Sequence, residues 1–433
     1  MTCRLPSPLL RWPSIRTAVA LGIGLRVLWL LIAAGRPSID DCLCDPGVYL
    51  VMAQKNVDGD WFGDVLGEPT AFLSVGYPAL LALGHLGTFG LLDVWRSALV
   101  VNLLASAALI VGAGRVAASL APAGLASTAP LAAALAMALY PDAITATGLV
   151  MTELPASAVL MWTVVWALKA TSRSTVIAGA VLITVAIWLR PSWMLMPLGL
   201  LVWLGLRRAR PHALGAAALI IAVGVAPLYW NNTERVGAPP GITSATWINI
   251  CDGADGRIGF TRRAVCDEPI EGLFAPPGSE GRSAKLSRSR ALGEIADNAD
   301  RWLLAVPARV ALSIGRGGWG VDVAVDWSRT LGTSWRTDVV RRLSQLGFDA
   351  AVAFAAIGVV RGKARLNALL WFFAASAMLG VAITFAQARF GWPVVSTMII
   401  PLAGCGLAWV SHRNDAPDHA TPERSTAGNT AAG

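Results

Sequence analysis

Apolar runs long enough to cross roughly 30 Å of hydrocarbon, at about 1.5 Å per helical residue, recur along the chain between short polar segments. The runs are continuous, so they predict helices and exclude the alternating pattern of a membrane barrel. Ten spans are expected, at approximately Ala18–Ala34, Ser97–Leu120, Leu125–Tyr140, Ile144–Leu168, Val176–Leu189, Met194–Leu206, Ala213–Trp230, Leu346–Val360, Asn367–Phe385 and Val394–Val410. The expected fold class is an all-α integral membrane protein, a polytopic helical bundle. Two segments are too polar to span. Residues 35–96 set Arg36, Lys55 and Arg96 against Asp40, Asp41, Asp45, Asp58, Asp60, Asp64, Glu68 and Asp93. Residues 231–342 are nearly charge-balanced and rich in Gly and Pro up to Ser283, after which Ala284–Val310 reads as helical. The chain therefore divides into an N-terminus (1–16), a membrane module (17–230) that includes the acidic loop, an outer loop subdomain (231–342), further membrane helices (343–411) and a tail (412–433). The composition of the tail predicts disorder.

Composition agrees with this reading: 55% of the 433 residues are apolar, 14% are charged, and mean hydropathy is +0.58. With the N-terminus inside, the inner segments carry Arg4, Arg11 and Arg16, then Arg115, Lys169 and Arg173, Arg207, Arg208 and Arg210, Arg361, Lys363 and Arg365, and Arg413. Every inner segment is basic. The net charge of +8 is then a topology signal, and nucleic acid is not an expected partner. Both polar segments fall on the outer face, which places the chemistry on the extracytoplasmic side of the plasma membrane. The first span has no A-x-A-like cleavage site after it and reads as a retained helix. Its Arg26 either faces other helices or snorkels to an interface. Cys251 and Cys266 share the second outer segment and are placed to close it with a disulfide in an oxidising space. Trp61, Trp95, Trp230, Trp302, Trp319, Trp335 and Trp392 fall near span ends and read mostly as an interfacial belt.

Acids and arginines converge on the outer face when the helices alternate in direction. Asp45 follows the first span, with Asp40 and Asp41 as secondary candidates just before it. Asp142 follows Tyr140-Pro141 where the third and fourth spans meet. Glu153 is expected a little over two turns into the fourth span. A carboxylate there is costly, so it marks a site or else forms a buried ion pair with Arg26 or Arg190. Arg190 ends the fifth span, because Pro191 breaks the helix, and Arg389 lies between the last two spans. Either arginine alone reads equally as a headgroup anchor. Together with the acids, they match the transfer of a sugar from a polyprenyl-phosphate donor. That reaction needs a base for the acceptor hydroxyl, cations for the leaving phosphate and apolar surface for the isoprenoid.

The order of motifs resembles the GT-C superfamily of membrane glycosyltransferases, in the branch of the protein O-mannosyltransferases and aminoarabinose transferases. The resemblance is spread over most of the chain. It rests on Asp45-Pro46-Gly47-Val48-Tyr49 with Ala53, Val75-Gly76-Tyr77-Pro78, Tyr140-Pro141, Thr152-Glu153, Leu189-Arg190-Pro191 and Ala388-Arg389-Phe390-Gly391-Trp392-Pro393. The match at Pro227-Leu228-Tyr229-Trp230-Asn231-Asn232 is weaker, with Asn231 where the family has Arg. Pro46 stands where the family often has an acidic or small polar residue. It pushes Asp45 towards an extended backbone, which leaves Asp40 or Asp41 as alternatives for the role of Asp45. The resemblance implies Asp45 as catalytic base and Glu153 as a second acid that positions substrate or a cation. Arg190, Arg389, Tyr49, Tyr77 and Asp142 become substrate contacts. Its partners would be a polyprenyl-phosphate sugar and a lipid, glycan or protein acceptor. No cofactor is fixed by the motifs, and Asp45 with Glu153 is a pair able to hold a divalent cation. The competing function is a transporter or flippase for a lipid-linked sugar, but the chain shows no convincing internal repeat. A non-catalytic scaffold is the third reading.

Overall fold

The computed structural model describes residues 12–37, 45–63, 68–169, 172–259, 279–315, 317–323, 325, 335–364, 368–384 and 386–414. Asp40, Asp41 and Cys266 lie outside them, as do the first residues of the chain and the tail after 414. Cys251 is disulfide-bonded.

The elements begin with α1 (Trp12–Ala33), α2 (Asp45–Val57), α3 (Gly76–Gly87), α4 (Val94–Leu120), α5 (Ala129–Leu139) and α6 (Pro141–Thr145). They continue with α7 (Glu153–Leu168), α8 (Arg173–Leu189), α9 (Met196–Leu206), α10 (Pro211–Trp230), α11 (Ala245–Gly253) and α12 (Ser279–Asp297). The last are α13 (Ala299–Ile314), α14 (Trp319–Asp322), α15 (Trp335–Val360), α16 (Ala368–Ile383), α17 (Trp392–Val394) and α18 (Ile400–Asn414), with a π-helical turn over Val395–Ile399 joining α17 to α18. Among the described residues, five helices are long and apolar enough to cross a membrane, and α5 with the segment Pro141–Gly148 forms a sixth candidate bent by 56°. Four shorter apolar helices (α7, α8, α9 with the turn before it, and α16) complete the set. Each of the ten expected spans coincides with one of these.

Local chemistry sets the ends. Asp93 caps α4 by accepting the Arg96 N–H at 2.7 Å. Ser172 and Thr175 cap α8 reciprocally. Proline opens α5, α9 and α10 in the first turn, where an N–H has no intrahelical acceptor. Gly358 of α15 and Gly406 of α18 meet where a Cβ on either would strike the other helix's backbone. Small residues allow such close helix approach where the hydrophobic effect gives little drive.

Two expectations are corrected. Glu153 is not two turns inside a helix that starts at Ile144. After α6, a 3-10 turn (Ala146–Gly148) and extended backbone intervene, and α7 begins at Glu153 itself. The apolar run 144–152 is continuous in sequence but broken in backbone. Second, Trp319 and Trp392 are not belt residues: they are 4% and 1% exposed and pack 5.5 Å apart, Trp392 also stacking on Tyr140. Trp61, Trp230 and Trp335 are exposed, as a belt requires.

Arg26 faces the bundle. Fully buried, it donates to the Gly22, Ala138 and Met137 carbonyls at 2.9, 2.8 and 3.2 Å. It thereby satisfies the carbonyls left open where α5 ends before Pro141. Of the two partners weighed for Glu153, Arg26 is thus committed elsewhere.

The two polar segments are docked together. Glu280 at the head of α12 accepts the Thr70 hydroxyl at 2.8 Å, the Ala71 N–H at 2.9 Å and the Ser244 hydroxyl at 2.7 Å. Asn231 adds a bond to the Thr70 carbonyl at 2.8 Å.

Candidate active site

Four residues from four separate stretches meet at the ends of the helices on this face. Asp45 opens α2, with Pro46 in the first turn where proline fits. Glu153 opens α7, a position at which the partial positive charge of a helix N-terminus favours a carboxylate. Arg190 follows the last residue of α8, where Pro191 ends the helix. Arg389 sits in the turn between α16 and α17.

The geometry is a chain of alternating charge. Arg190 Nη1 lies 2.8 Å from Glu153 Oε1. Arg389 Nη1 lies 3.6 Å from the same oxygen and 3.2 Å from Asp45 Oδ2. Arg190 Nη1 also donates to the Thr152 hydroxyl at 3.0 Å, and Arg389 Nε to Gln387 Oε1 at 2.6 Å. Phe390 lies against both guanidiniums, 5.6 Å from Arg190 and 5.4 Å from Arg389, and Trp193 lies 5.8 Å from Arg190. Such contacts hold a guanidinium plane in place.

Exposure separates the two acids. The Glu153 side chain is 1% exposed, whereas that of Asp45 is 23% exposed. Asp45 Oδ1 has no hydrogen-bond partner among the described residues, and Arg190 Nε is buried without an acceptor. Arg389 occupies the space between the two carboxylates, so a divalent cation bridging them would have to displace it. Among the described residues no group of three or more His, Cys, Asp or Glu is placed to hold a metal.

Tyr49 and Tyr77 form a wall beside this group, with ring centroids 5.1 Å apart in a T-shaped contact. Both are buried. Burial raises the Tyr49 phenol well above its ordinary pKa; the Asp45 and Glu153 charges add to this and the two arginines oppose it. Tyr77 is raised for the same first reason. Both stay protonated. Asp142 is not brought to the cluster. It is 1% exposed, and both its oxygens lie 3.0 Å from the Gly318 N–H, with the Tyr140 hydroxyl at 3.5 Å.

Neighbouring segments hold the cluster in place. Ser74 Oγ lies 2.7 Å from both the Trp188 and Leu189 carbonyls, which closes the end of α8. Gly76 passes so near the Trp188 carbonyl that no Cβ would fit. Sequence reasoning did not single out Phe390, Gln387, Trp193 or Ser74. Phe390 was visible only as a motif letter, and the others carry no charge pattern to mark them.

Neither a family model nor a curated protein sequence matches the chain. Among solved structures, the fold is similar to the oligosaccharyltransferase of Archaeoglobus fulgidus in the apo form, with a TM-score of 0.50 and 12% identity over 93% of this chain. The match covers 50% of that protein, so this chain spans half its length. ArnT from Cupriavidus metallidurans bound to undecaprenyl phosphate gives a TM-score of 0.44 and 14% identity, covering 92% of this chain and 78% of that one. At such identities the likeness concerns the fold alone: the chain is an integral membrane protein whose named elements are all helical among the described residues, similar in fold to that oligosaccharyltransferase.

Proposed function

We propose that the protein is an inverting glycosyltransferase that moves a sugar from a polyprenyl-phosphate donor to a lipid, glycan or protein acceptor on the extracytoplasmic face. The observation that carries this reading is the pairing of a solvent-reaching carboxylate with two fixed guanidiniums, one of which has an unsatisfied buried N–H. A buried donor without an acceptor costs about 1–3 kcal/mol. A phosphate oxygen at Arg190 Nε would remove that cost.

In this mechanism Asp45 takes the proton of the acceptor hydroxyl as its oxygen attacks the anomeric carbon. The polyprenyl phosphate leaves from the opposite side of the sugar. One reachable carboxylate suits such a single displacement, since Glu153 is enclosed by the arginines. The Asp45–Arg389 contact adds a handover of charge. Once Asp45 is protonated it no longer neutralises Arg389, and that guanidinium turns to the phosphate as negative charge grows there. Stabilisation that strengthens along the reaction lowers the barrier. Glu153 is a positioning residue here, holding Arg190 and Arg389 side by side. The basic inner segments and the disulfide-bonded Cys251 support an outward-facing site.

Proteoliposomes containing the protein and a pool of labelled polyprenyl-phosphate sugars test the proposal. Label passing to an added acceptor extract, with free polyprenyl phosphate released, is expected. Donor that crosses the bilayer unmodified, with no transfer, would overturn it in favour of a flippase.

A further inference from the structure

Helix α13 has two unlike faces. Its inner face is polar and fully engaged. Arg309, 0% exposed, donates from Nε to the Arg257 carbonyl at 2.7 Å, from Nη1 to the Ala382 carbonyl at 3.0 Å, and from Nη2 to the Gly253 carbonyl. One turn on, Ser313 Oγ accepts the Gln387 N–H at 3.2 Å. The Ala386 N–H is held by the Ile258 carbonyl at 2.8 Å. Gly391 lies against the Ser313 carbonyl with no room for a Cβ. The inner face of α13 therefore clasps both ends of the turn that carries Arg389.

Its outer face is apolar. From Leu303 to Leu312 the exposed side chains are Leu303, Leu304, Pro307, Ala311 and Leu312, with the leucines 60%, 78% and 40% exposed. Leaving three leucines of one helix in water opposes the hydrophobic effect, and an exposed apolar face of this kind marks an interface. The bond from Arg309 to Ala382 places α13 against the last turn of the membrane helix α16. One turn back from Ala382, Leu379 is 50% exposed on that helix. Helix α13 thus packs beside the end of a membrane helix that itself exposes apolar side chains.

We infer that α13 is an interfacial helix seated in the leaflet on the Arg389 side, with Leu303, Leu304 and Leu312 among the acyl chains, and that this seating fixes the Arg389 turn. An amphipathic helix in such a position lies in the membrane plane with its apolar face about 5–10 Å deep. The partner surface is the bilayer itself. The seating does not depend on the proposed activity, whereas its consequence for Arg389 bears on that activity through geometry alone.

The test uses the full-length wild-type protein in phosphatidylcholine vesicles that contain a phospholipid with a diazirine in its acyl chain. After irradiation, mass spectrometry locates the adducts. Adducts on the peptide holding Leu303, Leu304 and Leu312 are expected, together with adducts at Leu379 as the internal standard for lipid exposure. Adducts at Leu379 with none on α13 would overturn the seating, as would zero-length cross-links joining α13 to a second copy of the chain. A second measurement tests the coupling. In a Leu303→Asn/Leu304→Asn double variant, the Ala386 and Gln387 amides should exchange with deuterium several-fold faster than in wild type. Unchanged exchange there would overturn the link between α13 and the Arg389 turn. Neither readout needs an active enzyme, so failure here is separable from failure of the proposed function.

Discussion

Glu153 touches two arginines and almost no solvent, and this sets what its substitution should do. Glu153→Gln keeps the shape but leaves two buried guanidiniums without their shared anion. Loss of one partner from a buried ion cluster typically costs roughly 3–5 kcal/mol. The variant should therefore melt well below wild type in a thermal-shift series, and Glu153→Gln/Arg190→Met should recover part of the loss; a double variant no more stable than the single would contradict this account. Arg190→Lys probes the phosphate side. Lysine keeps the charge but loses the fork and the Nε donor, so transfer should fall about tenfold to hundredfold, matching the loss of one charge-assisted bond of about 1.5–3 kcal/mol. Kinetics across a donor concentration series would show it. At this scale much was legible in advance: Asp45, Arg190 and Arg389 each carry a charge beside an expected span end and Glu153 one inside an expected span, and charge at or within a membrane segment stands out. Phe390 and Trp193 did not, because an aromatic ring in an apolar chain looks like every other packing residue.

At the scale of elements, breaks in helices matter more than the helices. α8 ends at Leu189, just before Arg190-Pro191, and α7 starts only at Glu153, so these two breaks deliver Arg190 and Glu153 to the cluster. The Pro191 break was readable because proline removes a donor and clashes with the preceding turn. The start of α7 was not, since Leu149, Val150 and Met151 prolong the apolar run across a backbone that is not helical. Hydropathy reports solvent preference and says nothing of φ and ψ there. Arg309 shows the same limit: its guanidinium joins α13 to three carbonyls from two distant stretches, and no sequence pattern records such tertiary bonds. Arg309→Met should keep the stem packing and lose those bonds, taking a donor from each of three carbonyls, of which Gly253 keeps the Gly256 N–H, at about 1–3 kcal/mol for each carbonyl left unpaired. A lower melting temperature with faster deuterium exchange over residues 386–391 is expected, and exchange confined to wild-type rates would count against α13 as the support of that turn.

Over the whole molecule, the ten apolar segments were legible because a bilayer imposes a length rule on each segment separately. How the two polar segments dock was not, because Glu280 binding Thr70 and Ala71 depends on pairing across more than two hundred residues. Through that docking the first polar segment, which carries Asp45, becomes fixed relative to the second, which clasps Arg389. The central claim is that this assembly exists to put a base beside two phosphate-binding arginines. It is tested most directly by sugar transfer from a labelled polyprenyl-phosphate donor in membranes holding wild-type or Asp45→Asn protein at matched abundance, with donor binding measured in parallel. The account predicts that Asp45→Asn binds donor as wild type does and transfers none of it above background. Full transfer by Asp45→Asn would contradict the assignment of the base and, with it, the mechanism built on the Asp45–Arg389 pair.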